Sequence, residues 1–184
     1  MILFTTIENF SDRLKIERLY MCYRNLMYKE ALEIVQNSHS AEDAVSESFV
    51  RIIKNLHKID EQNRPKTRSF LVIICRNVAK NIYNKKIYLN NQPDACDDVL
   101  PEDVSESSDS LDILVKKETL SEIAGAVKKL DPIYRDVFLL KNVHGLSRAE
   151  IAAIFGISEE AVKKRLVRAK SKILKELEKR GELA

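Results

Sequence analysis

The stretch Leu146–Leu177, LSRAEIAAIFGISEEAVKKRLVRAKSKILKEL, decides how the rest of the chain is read. Ser147 followed three residues on by Glu150 is a capping-box pattern, in which two side chains satisfy the first backbone N–H groups of a helix. Ile151, Ala152 and Phe155 give that helix one apolar side. Gly156 stands where the chain needs a left-handed residue to turn, and Ser158 is placed to cap a second helix. Along this second helix Val162, Leu166, Ala169, Ile173 and Leu177 recur at three- to four-residue steps and share one face. Lys164, Arg168 and Lys175 fall opposite, flanked by Lys163, Lys170 and Lys172. The pattern is a helix-turn-helix whose last helix is buried on one side and cationic on the other, the form that lies against DNA phosphates. A plain amphipathic surface helix shares the periodicity. The cap, the turn glycine and the phase of the stripe together favour DNA binding.

Composition agrees with a helical protein: 32% of the 184 residues are charged, there are four glycines and four prolines, and tryptophan is absent. The net charge of +3 hides a segregation. Residues 1–89 carry 15 Lys and Arg against 10 Asp and Glu, residues 90–112 carry none against 8, and residues 113–184 carry 16 against 10. Two basic blocks joined by an acidic strap say more about the chain than its overall charge does. Cys22, Cys75 and Cys96 are odd in number and lack metal-ligand spacing, and His39, His57 and His144 are scattered. No metal or cofactor is expected, and the thiols suit a reducing cytoplasm. No apolar run has the length of a membrane span and no signal-peptide pattern opens the chain, so a soluble cytoplasmic protein without membrane insertion is expected.

In the first block, Glu17–Asn37 reads as a helix, with Leu19, Leu26, Ala31, Ile34 and Val35 apolar. Ser40 and Asp43 suggest a capped start to the next helix, along which Ala41, Val45, Phe49, Ile52 and Leu56 form a stripe. Ile59–Lys66, with Pro65, reads as a loop, and Ser69–Lys86 as a third helix. Residues 90–112, with two prolines and few large apolar groups, read as a flexible linker. In the second block Glu118–Leu130 is one helix, and Asp131-Pro132 starts another that Gly145 ends. The expected fold is all-α: two small helical domains, residues 1–89 and 113–184, the second a four-helix helix-turn-helix domain. Whether the two blocks pack together or move independently stays open.

Three segments together, SAEDAVSESFVRI, SFLVIICRNVAKNIYNKK and LDPIYRDVFLLKNVHGLSRAEIAAIFGISEEAVKKRLVRAKSKI, resemble the small two-domain sigma factors of the extracytoplasmic-function type. The resemblance covers about three-quarters of the chain, in the right order. It implies an alternative sigma factor, not an enzyme: a specificity subunit that binds core RNA polymerase, recognises two elements of promoter DNA and assists strand opening. Asp43, Glu47, Val50 and Arg51 would then face polymerase, with Ser46 replacing the family's usual glutamine. The proximal element would be met by Arg64, Lys66, Arg68, Arg76, Asn77, Lys80, Asn81 and Lys85, with Tyr83 and Asn84 as additions. These are cations for a backbone and amides for exposed bases. Phe70 replaces a common tryptophan and is expected in the core. At the distal element, Ser158, Glu159, Glu160, Lys163, Lys164 and Arg165 would reach base edges in the major groove. Arg168, Lys172 and Arg148 would hold phosphates. Glu160 and Ala161 replace the family's frequent glycine and threonine, which alters the expected promoter preference.

The resemblance further implies an anti-sigma factor as a partner, while the free protein is expected to be a monomer. For the acidic strap two readings stand side by side, a mimic of RNA in a polymerase channel and a solvated spacer. Outside the family, a stand-alone helix-turn-helix regulator explains the second block but not the basic, amide-rich first one. A nucleic-acid enzyme lacks any paired carboxylate, phosphate-binding glycine loop or activated nucleophile in the sequence.

Overall fold

The computed structural model describes residues 9–90 and 117–181. Seven α-helices and one short 3-10 turn account for the regular structure, and there is no strand among the described residues. Of the expected linker, Asn90 is the last residue of a helix, and residues 91–112 lie outside the described ones.

The first three helices form one packed group. Helix α1 (Phe10–Val35) starts a full two turns before the expected Glu17, because Asn9 caps it by accepting a hydrogen bond from the Ser11 N–H. Its apolar side buries Ile16, Leu19, Met27, Ala31 and Val35, and Gln36 ends it in a left-handed conformation. Helix α2 (Ser38–Lys54) is capped by Asn37, whose Oδ1 accepts from the Ser40 N–H at 2.9 Å. The cap is therefore Asn37, not the expected Ser40 and Asp43 pair. Ala41, Val45, Phe49 and Ile52 are buried as the stripe requires.

Helix α3 (Arg64–Asn90) also begins earlier than expected. The Asn63 side chain accepts from the Lys66 N–H, and Pro65 falls in the first turn, where a missing N–H costs nothing. What reads as a loop to Lys66 is a loop only to Asn63. Lys15 ties the group together from α1: its ammonium donates to the Leu56 and Ile59 carbonyls, on the short 3-10 turn that follows α2, at 2.9 and 2.6 Å.

The remaining helices form the helix-turn-helix group. Helix α4 (Lys117–Lys129) and α5 (Pro132–Asn142) pack on the long final helix α7 (Glu159–Gly181), with α6 (Arg148–Phe155) before it. Proline is at the start of α5 as expected, although the Asp131 side chain makes no capping bond. The Ser147–Glu150 capping box is complete in both directions. Gly156 adopts φ +67, the left-handed turn that the sequence requires. Val162, Leu166, Ala169 and Ile173 are buried.

One hydrophobic cluster runs from α1–α3 into α5, α6 and α7, through Phe70, Leu71 and Ile74 to Val137, Leu140, Leu146, Ile151, Ile154 and Val162. A second, smaller cluster joins α4, α5 and α7 around Ala126, Leu130, Ala169 and Ile173. The two groups therefore pack together through a shared core.

Candidate nucleic-acid and polymerase interfaces

The distal candidates lie along the turn and first half of α7. Ser158 accepts the Ala161 N–H at 3.1 Å, so its hydroxyl oxygen holds the helix start. Glu159 and Glu160 are exposed in the first turn, and Lys163 and Lys164 are exposed one turn on. Arg165 and Arg168 are half-buried beside the apolar stripe. Lys172 donates to Asp131 at 3.2 Å and its ammonium sits 5.1 Å from the centre of the Tyr134 ring. Both partners of that ion pair are at least half exposed, so it is weak and open to exchange. Arg148 is exposed at the first position of α6. Arg148 stands at the start of α6, and the other expected residues are spread around the sides of α7 that its buried stripe leaves open.

The proximal candidates follow α3 from its first turn. Arg64 and Arg68 are exposed, Lys66 is half-buried between them, and Lys80, Asn81 and Lys85 are exposed further along. Asn77 is half-buried, and Asn81 is close enough to donate to it at 3.4 Å. Arg76 is ion-paired with Glu30 of α1 at 2.7 Å. An open groove between α1 and α3 is lined by Arg18, Glu61, Arg64, Thr67, Arg68 and Arg76. Arg18 forks onto both oxygens of Glu61, at 3.0 and 2.8 Å, and holds that carboxyl below its ordinary pKa. Thr67 donates to the Asp60 carbonyl at 2.6 Å, and Asp60 Oδ1 accepts the Gln62 N–H at 3.0 Å, which together fix the connecting loop. Cations around a partly apolar floor, which includes Leu19 and Val72, suit a nucleotide: phosphate at the rim and base within.

On α2, Asp43, Glu47 and Val50 are exposed on the outer side, as expected. Arg51 is not free on that face. Its guanidinium donates to Glu47 one turn back and to the Ile154 carbonyl of α6.

Several residues at these faces escape a reading of the sequence alone. Lys58 pairs with Glu150 at 2.6 Å and reaches the Gly145 carbonyl at 3.2 Å. That pairing, with the Ser147 backbone N–H second, pulls the Glu150 carboxyl down to about 2. Asp136 is buried on α5, and burial raises its pKa against the pull of Arg135, Lys80 and Arg76. His144 is buried with its ring centre 5.2 Å from that of Phe70. Its Nε2 has no hydrogen-bond partner, and burial, helped by Lys66, lowers its pKa to about 4. The sequence does hold one signal: Asp136, Leu140 and His144 stand at four-residue steps, so two polar side chains share the register of a core leucine. Cys75 is buried and donates to the Met27 carbonyl at 3.3 Å, and burial raises its thiol to about 11. It is an unreactive core residue.

Comparison with known proteins places both halves in one lineage. The family model of sigma-70 region 2 matches residues 19–86, and that of sigma-70 region 4 matches residues 120–173. SigM of Bacillus subtilis strain 168, an ECF RNA polymerase sigma factor, is 28% identical over 167 residues, which span 90% of this chain and 96% of SigM. SigW of the same organism is 28% identical over 169 residues, 84% of each chain. The structure of CnrH in complex with the cytosolic domain of CnrY aligns over 89% of this chain and 87% of that one, with 22% identity and a TM-score of 0.35. With both regions present in order and relatives matched along nearly their full length, the chain belongs to the extracytoplasmic-function family of RNA polymerase sigma factors, alternative sigma factors that direct transcription initiation.

Proposed function

We propose that this chain divides the work of promoter recognition between its two helical groups, as residues 1–89 and 113–184. Asp43, Glu47, Val50 and Arg51 on α2 bind core RNA polymerase. The positively charged length of α3, with the α1–α3 groove at its start, takes the unpaired strand of the proximal element. Arg64, Lys66, Arg68, Arg76, Lys80 and Lys85 hold its backbone, and Asn77 and Asn81 meet its bases. The first turns of α7 enter the major groove of the distal element. There Lys163, Lys164 and Arg165 meet acceptors on guanine, Glu159 and Glu160 meet the cytosine amino group, and Arg148, Arg168 and Lys172 hold phosphates.

The observation that carries this reading is the helix-turn-helix itself, with its complete capping box, left-handed Gly156 and exposed Lys163 and Lys164. It lies in the same chain as a second group whose long helix is lined with cations and amides. Each module alone makes few phosphate contacts and binds weakly, but two modules on one polymerase act at high effective concentration. The chemistry of bond formation belongs to polymerase, so the chain is no enzyme in its own right. It works in the cytoplasm as a monomer until it meets polymerase, and an anti-sigma factor that covers either face would silence it.

Gel filtration of the chain with bacterial core polymerase tests the assignment of α2. The wild type should co-elute with core, and charge reversal at Asp43 and Glu47 should weaken that association about ten-fold or more. Undiminished association of the reversed variant would remove α2 as the polymerase-binding face.

A further inference from the structure

The loop between the 3-10 turn and α3 carries one carboxylate into the α1–α3 groove. Glu61 stands on a turn that the Asn63 N–H closes onto the Asp60 carbonyl at 3.2 Å. That carbonyl also accepts the hydroxyl of buried Thr67, and Asp60 Oδ1 accepts the Gln62 N–H. The backbone beneath Glu61 is therefore fixed before any ligand arrives. The same groove is lined by Arg64 and Arg68, both exposed, and by Leu19, Pro65 and Val72. A carboxylate among these cations works against phosphate, so backbone binding does not account for it.

Arg18 meets both oxygens of Glu61 as a fork, Nε to Oε1 at 3.0 Å and Nη2 to Oε2 at 2.8 Å. Arg18, with a smaller pull from Lys15, keeps the carboxyl ionised below its ordinary pKa. The two side chains are 57% and 31% exposed, so as a staple the pair contributes little and its donor is open to exchange. What can replace Arg18 is set by the fork: two parallel N–H groups side by side on one planar edge. Among the DNA bases only guanine offers that pair, N1–H and N2–H, on its Watson–Crick edge. Adenine and cytosine set a ring-nitrogen lone pair beside one amino group, and thymine flanks its single N–H with two carbonyl oxygens. Each would turn a lone pair toward the carboxylate. In a duplex the guanine edge is taken up by cytosine, and it is free only where the strand is unpaired.

We propose that Glu61 selects the base in this groove: its carboxylate accepts N1–H and N2–H of one unpaired guanine in place of the Arg18 fork. The selection rests on the groove taking the unpaired strand, as proposed above. Arg18, released from Glu61, turns to the phosphates of that strand beside Arg64 and Arg68. A paired guanine is refused because its donors are spent, so one contact serves both sequence and strand opening. A base without the two donors leaves the carboxylate facing an acceptor, and a site built this way discriminates more strongly than an apolar pocket does.

Anisotropy titrations of the full chain with labelled single-stranded oligothymidylates test the selection, the central thymidine being kept or replaced by deoxyguanosine, deoxyinosine or 7-deazadeoxyguanosine. The guanine strand should bind about ten-fold more tightly than the all-thymine strand. Inosine keeps N1–H but lacks the amino group, and should lose most of that gain. 7-Deazaguanine has an intact Watson–Crick edge and should keep it. Glu61→Gln should bring the ratio of guanine to thymine affinity down to about one, because its amide turns a donor toward the guanine donors. Arg18→Ala leaves the carboxylate uncontested and should raise the ratio. Equal wild-type affinities for guanine and thymine strands, a preference that inosine retains, or a ratio that Glu61→Gln leaves unchanged would each overturn selection by Glu61 while leaving the groove as a general strand site. A ratio that falls equally in both variants would reduce the pair to a loop staple and overturn it too. Wild-type binding to none of the strands would sink both the selection and the strand reading of the groove.

Discussion

His144 is the residue whose setting departs furthest from the ordinary. Buried against Phe70 with an unpartnered Nε2, it stays neutral, its pKa pushed from 6.5 to about 4. The sign of the consequence follows from proton counting. Between these values the unfolded chain binds a proton that the folded chain refuses, so stability rises with pH across that window. His144 thus stabilises the fold fully above about pH 6.5, progressively less below it, and the loss levels off near pH 4. Urea melts of wild type and His144→Leu should show the stability difference moving against the wild type as pH falls through this window. A constant difference would contradict the buried neutral imidazole. Gly156 makes a second prediction at this scale. A Cβ there would meet only Asn81 Nδ2, at 3.8 Å, which is ordinary contact. The cost of Gly156→Ala is therefore conformational, about 1–2 kcal/mol for holding φ +67, and thermal melts should report it with no loss of helix content.

At the scale of elements, α7 joins a buried stripe to exposed cations. Replacing Arg168 and Lys172 by glutamine should weaken duplex binding and flatten its salt dependence, by about 0.9 in log–log slope for each phosphate no longer neutralised. Anisotropy titrations at several salt concentrations would measure it, and an unchanged slope would move the DNA to another face. The helix-turn-helix is almost fully legible in the sequence, because every device in it is local: the box at Ser147, the turn at Gly156 and the stripe from Val162. The starts of α1 and α3 are not, because each depends on a single asparagine cap, Asn9 or Asn63, in a polar stretch that also resembles a loop. The surface of α2 is legible as a face but not in its occupancy. The partner of Arg51, the Ile154 carbonyl, lies more than a hundred residues along the chain.

Over the whole molecule, sequence periodicity assigns residues to helices and faces but does not say which faces meet. Lys58 with Glu150 and Phe70 with His144 are pairs that only the packed chain brings together. The same packing brings Arg51 and Asn81, two of the residues proposed to serve polymerase and promoter, to the last carbonyls of α6. The most direct measurement is run-off transcription with bacterial core polymerase, from a promoter upstream of the protein's own gene, with and without the chain. The account predicts a transcript of defined start only when the chain is present, reduced by the Lys163→Gln and Lys164→Gln substitutions. No transcript and no association with core, together with tight binding of the chain alone to a palindromic duplex, would contradict it.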